Sequence, residues 1–130
     1  YLYAAAMEAG MPPDSVEIDK PIKIYGKDIR NYDRRYRGAM TLRKAIGDSN
    51  NVVAVKTMMK LGGYVEGAAQ VVIQKAHLMG IESNLVPVPT LALGASEVTP
   101  LEHTSAFGVF ATRGLRAEET PIERVLNANG

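Results

Sequence analysis

Apolar residues in this chain recur mainly at three- and four-residue spacing, the period of helices that bury one face. Val65, Ala68, Ala69, Val72, Ala76 and Met79 form one such stripe, closed by Gly80. A denser aliphatic run predicts a helix from about Val52 to Leu61, ended by Gly62-Gly63. Just before it, Thr41 can cap a helix whose Leu42, Ala45 and Ile46 share a face. Gly47 and Asp48 weaken that helix, and Ser49 or Asn51 can cap the next. The strongest boundary signal is Thr99-Pro100-Leu101-Glu102: an N-cap, a proline at the first helical position and a capping-box glutamate. The helix it opens is expected to turn Leu101, Phe107 and Phe110 inward and to stop near Gly114.

Elsewhere the pattern is weaker. The Ala-rich run Tyr1 to Ala9 reads as the tail of a helix stopped by Gly10. Between Val16 and Asp33, Ile18, Ile22, Ile24 and Ile29 allow short strands or extended loop. Residues 82–90 read as proline-punctuated loop, and Leu115 to Gly130 as loop entering a strand that carries Ile122, Val125 and Leu126. The prediction is a mainly α fold with minor β, in which helices centred on Ile46, Val55, Val72 and Phe107 share one core.

Composition narrows this little. The chain has 130 residues, enough for one domain with a core, and a formal net charge of +1 argues neither for nor against polyanion partners. With no Cys, thiol catalysis, disulfides and Cys-ligated metals are excluded within these residues. No apolar run reaches the roughly 18 residues that read as a membrane-spanning helix.

Ser49 and Asn51 are the candidate catalytic residues. A hydroxyl at a helix mouth can relay a proton, and a carboxamide beside it can grip a peptide bond with both donor and acceptor groups. Read as local structure, the same residue types are ordinary helix caps. The surrounding text favours chemistry. Thr41-Leu-Arg-Lys-Ala45 precedes Ser49-Asn50-Asn51, and Val52-Val-Ala-Val-Lys56 follows. Asn31-Tyr32, Tyr36-Arg37-Gly38, Leu91-Ala-Leu-Gly94, Glu97-Val-Thr-Pro-Leu-Glu102 and Ala106-Phe-Gly-Val-Phe-Ala111 complete the set. In order and rough spacing these phrases resemble the transpeptidase domain of class A penicillin-binding proteins.

That resemblance implies the helical part of an α+β fold of the penicillin-binding and serine β-lactamase type. It also implies a D,D-transpeptidase that cross-links peptidoglycan through a serine acyl-enzyme. Ser49 would be the proton-relay serine, Asn51 the substrate-orienting amide and Asn50 the variable middle residue. The implied partners are D-Ala-D-Ala stem peptides, β-lactams and the remaining parts of the domain, with no cofactor. The implied place is the extracytoplasmic face of the bacterial cytoplasmic membrane, with anchoring only through segments outside these residues. The family's Ser-x-x-Lys nucleophile motif is expected before residue 1 and its Lys-Ser/Thr-Gly motif after residue 130. Within the chain, Ser15, Ser49, Ser83, Ser96 and Ser105 are followed three places on by Ile18, Val52, Val86, Thr99 and Gly108, never by lysine. The chain alone is therefore expected to be inactive.

Two other classes stay open: a catalytically inert helical interaction domain, and a nucleic-acid module built on residues 20–44. In the latter, Lys20, Lys23, Lys27, Arg30, Arg34, Arg35, Arg37, Arg43 and Lys44 interleave with Tyr25, Tyr32 and Tyr36. The reading taken is no nucleic acid, because a solvated basic loop balanced by acids elsewhere explains the stretch. His77 and His103 lack ligand-like neighbours, so no metal site is expected. Gly47-Asp48-Ser49 resembles the block of a small esterase family but lacks the strand and the Asp-x-x-His partner that accompany it. Met58, Met59 and Met79 read as core filler.

Overall fold

A computed structural model describes residues 1–120, 122 and 124–127. Five helices surround two short ribbons: α1 (Leu2–Glu8), β1 (Val16–Asp19), β2 (Ile22–Ile24), β3 (Lys27–Ile29), β4 (Gly38–Thr41), α2 (Leu42–Gly47), α3 (Asn51–Met59), α4 (Val65–Leu78) and α5 (Pro100–Ala111). A 3-10 turn, Pro89–Leu93, lies between α4 and α5. The mainly α reading with minor β stands.

α3 is the hub. Val52, Val53, Ala54, Val55, Thr57 and Met58 are all buried, so it is enclosed on nearly every side. Ala54 and Met58 pack with Leu2 of α1 and Ala68, Ala69 and Val72 of α4. Val53 joins Met40, Leu42 and Ala45, while Val52 and Val55 join Ile29. α4 buries the predicted stripe, and its close approach to the preceding loop requires glycine. A Cβ on Gly62 would lie 2.5 Å from the carbonyl carbon of Gly67.

β1 pairs antiparallel with β4, Val16 opposite Thr41 and Asp19 opposite Gly38. Its alternation is inverted: Glu17 and Asp19 are buried, whereas Val16 and Ile18 are exposed. β2 and β3 form a hairpin through Tyr25-Gly26, both at positive φ (50° and 75°), as a two-residue type I′ turn requires.

Three expectations fail. Ile46 is exposed while Leu42 and Ala45 carry the α2 face. On α5 only Ala106 is buried, against Ala76, Met79 and Ile81, and Leu101, Phe107 and Phe110 are exposed. A small residue lets α5 approach α4, so the large side chains are set to the flank, where Phe107 meets Tyr1 edge-on and His103 at a tilt. Residues 122 and 124–127 form no strand; the other positions of that expected strand lie outside the described residues.

Candidate active site

The turn between α2 and α3 is built by backbone hydrogen bonds that end α2 in a left-handed residue. Ser49 N–H donates to the Ile46 carbonyl (3.2 Å) and Asn50 N–H to that of Ala45 (2.9 Å). Ser49 therefore occupies the C′ position, at φ 52°. The same paired bonds close α1 and α4, but with Gly10 and Gly80 in that position, at φ 85° and 111°. A side chain there costs on the order of 1 kcal/mol, which glycine avoids. Ser49 carries that strain with its hydroxyl exposed and bonded to no other described residue.

α3 begins in a buried polar cluster. Asn50 caps it: Oδ1 accepts from Val53 N–H at 2.9 Å. The cap expected at Ser49 or Asn51 thus falls between them, because Ser49 is committed to ending α2 and Asn51 already has helical backbone. Asn31 Oδ1 accepts from the neighbouring Val52 N–H at 3.3 Å. Both amides donate to Asp19: Asn50 Nδ2 at 2.8 Å from Oδ2, and Asn31 Nδ2 at 3.0 Å from each oxygen. Arg37 N–H adds a fourth contact at 2.9 Å. Asp19, Asn31 and Asn50 are 1%, 5% and 4% exposed. Sequence reading missed Asp19 altogether and took Asn50 for a variable residue. No local signal marked Asp19, because acids alternating with Val16 and Ile18 read as an ordinary solvated strand face.

Asn51, half-buried, is the first residue of α3, and its Nδ2 donates to the Arg30 carbonyl at 3.0 Å. Ser49, Asn50 and Asn51 line one cleft of about 170 Å³ with Tyr3, Ala45, Ile46, Ala54, Ala92 and Leu93. Three stretches far apart in sequence meet here: the Ala-rich first helix, the Ser-x-Asn turn and the Leu91–Gly94 segment. Burial pushes the Tyr3 phenol up to about 12, so it stays protonated and cannot act as a base near neutrality. Tyr3, Ala92 and Leu93 also border a larger, apolar cavity of about 490 Å³ that runs to His103 and Phe107.

The description penicillin binding protein transpeptidase domain matches residues 1–123 of this chain. The chain belongs to that family. Penicillin-binding protein 1A of Neisseria meningitidis serogroup A is 34% identical over 139 aligned positions that cover all of this chain and 16% of the relative. Penicillin-binding protein 1A of Aquifex aeolicus is 35% identical, covering 99% of the chain and 18% of its own length. The chain thus spans under a fifth of these relatives. In three dimensions it is similar to penicillin-binding protein 1A from Haemophilus influenzae, with TM-score 0.71 and 33% identity over 84% of this chain and 16% of that one. PonA1 of Mycobacterium tuberculosis, 23% identical, shares the fold with TM-score 0.74 over 88% of this chain and 32% of its own.

The other candidate readings find less support. Among the basic residues, Lys23 and Arg30 pair with Asp28, Arg37 with Asp33, Arg43 with Asp14 and Lys44 with Asp48. That pairing spends much of the charge a polyanion would need. His77 Nδ1–H donates to the Ile81 carbonyl at 2.6 Å, and His103 Nδ1 lies 2.9 Å from the Tyr1 hydroxyl. Among the described residues no three His, Cys, Asp or Glu side chains are grouped to hold a metal ion. No described helix is long and apolar enough to cross a membrane. Gly47-Asp48-Ser49 closes a helix and follows no strand, unlike the esterase block. Met58 and Met79 are buried core residues, and Met59 packs beside Val52 and Val55.

Proposed function

We propose that this chain supplies the Ser-x-Asn part of a D,D-transpeptidase whose nucleophilic serine and third motif are carried by other residues of a longer protein. The carrying observation is the cleft where Tyr3, Ser49, Asn51 and Ala92 meet, with Ser49 strained and its hydroxyl uncommitted among the described residues. In the reaction a serine hydroxyl attacks the carbonyl of the penultimate D-Ala of a stem peptide. Its proton passes on, the C–N bond breaks and the terminal D-Ala leaves as the amine. Ser49, able to donate and accept at once, relays the proton to that leaving nitrogen. Asn51 holds the peptide amide so that the carbonyl faces attack. An amino group of a second stem peptide then takes the acyl group and frees the serine. A β-lactam presents a strained amide to the same serine and leaves it acylated. Such chemistry belongs outside the cytoplasmic membrane, where peptidoglycan is.

Within residues 1–130 no serine has a lysine three places on, so this chain has no base-activated hydroxyl of that kind. A fluorescent penicillin should label the full natural protein carrying this sequence and leave the purified 130-residue chain unlabelled. A covalent penicillin adduct on the isolated chain that survives denaturation would contradict this division of labour.

A further inference from the structure

Among the described residues Asp19 is the most enclosed acidic or basic side chain, and it forms no ion pair with any of them. Its oxygens are held by two carboxamides and one backbone N–H. A carboxylate offers acceptors only, so it fixes which end of each amide faces it. With their NH2 groups turned to Asp19, Asn31 and Asn50 must present their carbonyl oxygens elsewhere. Both are aimed at the first turn of α3, at Val52 N–H and Val53 N–H. The N–H groups of an opening helical turn have no intrahelical partner, so these two bonds hold that turn in place.

Ser49 and Asn51 flank Asn50 in the chain and have no comparable anchor of their own. Ser49 is exposed, and among the described residues Asn51 makes a single side-chain bond, to the Arg30 carbonyl beside Asn31. We infer that Asp19 is a positioning residue for this site: through Asn50 and Asn31 it sets where the Ser49 hydroxyl and the Asn51 amide stand. This rests on the transpeptidase reading above. Asp19 lies outside the cleft and touches no reacting atom in this account. Its effect is to keep two reacting groups from drifting, and misplacement of about an ångström can slow a reaction on the order of a hundredfold.

The test separates positioning from folding, using benzylpenicillin on the full natural protein carrying this sequence. Asp19→Asn keeps the shape but puts an NH2 among donors. Asn50→Ser keeps a competent helix cap yet is too short to reach Asp19. Both should lower the acylation rate constant at least about tenfold, with the preceding non-covalent affinity changed less than about threefold. Met79→Ala, a cavity in the α4–α5 cluster, gives the comparison for lost stability and should acylate near the wild-type rate. If Asp19→Asn does not fold, Asn50→Ser carries the test. Asn50→Ser acylating within about twofold of wild type would overturn the inference. So would equal slowing by a Met79→Ala protein with a similarly lowered melting temperature. Ser49→Ala and Asn51→Ala in the same assay distinguish the two claims. If they are slow while Asp19→Asn and Asn50→Ser are fast, only the positioning role falls. If they acylate normally, the functional reading falls with it.

Discussion

Lys56 of α3 reaches Glu17 of β1, Nζ 2.5 Å from Oε1, with the glutamate side chain 8% exposed and the lysine 20%. Lys60 closes on the other carboxylate oxygen, and Lys56 also donates to the Ile18 carbonyl at 2.7 Å. The pair explains why β1 turns its acids inward and its aliphatics out: Glu17 and Asp19 both serve α3. Burial alone would raise the Glu17 carboxyl. The bonds from Lys56, Lys60 and the Ile18 amide outweigh it and bring its pKa from 4.5 down to about 2.

A carboxyl lowered on folding stabilises the fold above its unfolded pKa and loses that contribution as pH falls toward its folded pKa. The contribution of Glu17 should be full above about pH 5, on the order of 3 kcal/mol, and vanish near pH 2. Urea unfolding of wild type and Glu17→Gln across this range reads it directly. Curves that stay equally far apart down to pH 2 would mean that Glu17 is not held ionised by the lysines.

Ser49, at positive φ, should be a local stability defect. Replacing it by glycine relieves the left-handed strain and should raise stability by up to about 1 kcal/mol, even as it removes the hydroxyl. Ser49→Ala keeps the strain and should gain nothing. Denaturant midpoints of the two variants compare the effects, and a glycine variant no more stable than the alanine one would remove the strain argument.

Two glycines should respond oppositely to alanine. Gly62→Ala pushes a methyl into the backbone of α4 and should destabilise by about 2 kcal/mol or more. Gly47, at the end of α2, has nothing within 4 Å of an added Cβ and no positive φ, so Gly47→Ala should be neutral or stabilise by up to about 1 kcal/mol. Equal thermal shifts for the two would contradict the packing described for the Gly62 loop.

The helices were legible where their signals are local. The α4 stripe, the Thr41 cap and the Thr99–Glu102 capping box each involve residues within a turn or two of one another, and each stands as read. What escaped depends on distant partners. Nothing near Asp19 in sequence reveals that Asn31 and Asn50 need it, and hydrophobicity alone points Ile18 inward. The strand β4 was unread because Gly38-Ala-Met-Thr41 has little strand propensity; its pairing to β1 makes it a strand. Phe107 and Phe110 were assigned inward by size, whereas contact at Ala106 decides which face of α5 turns to α4. At the candidate site, Ser49 and Asn51 were singled out by motif, and they line one cleft. The buried support between and behind them was not singled out.

The most direct measurement is the second-order rate of acylation by benzylpenicillin in the full natural protein, wild type against Ser49→Ala and Asn51→Ala. On the proposed reading, each substitution removes a contact made to the reacting amide and leaves the nucleophile in place. Each should therefore slow acylation about a hundredfold, equivalent to on the order of 3 kcal/mol, with little change in melting temperature. Acylation of both variants at the wild-type rate would reduce Ser49-Asn50-Asn51 to a helix boundary with no part in the chemistry.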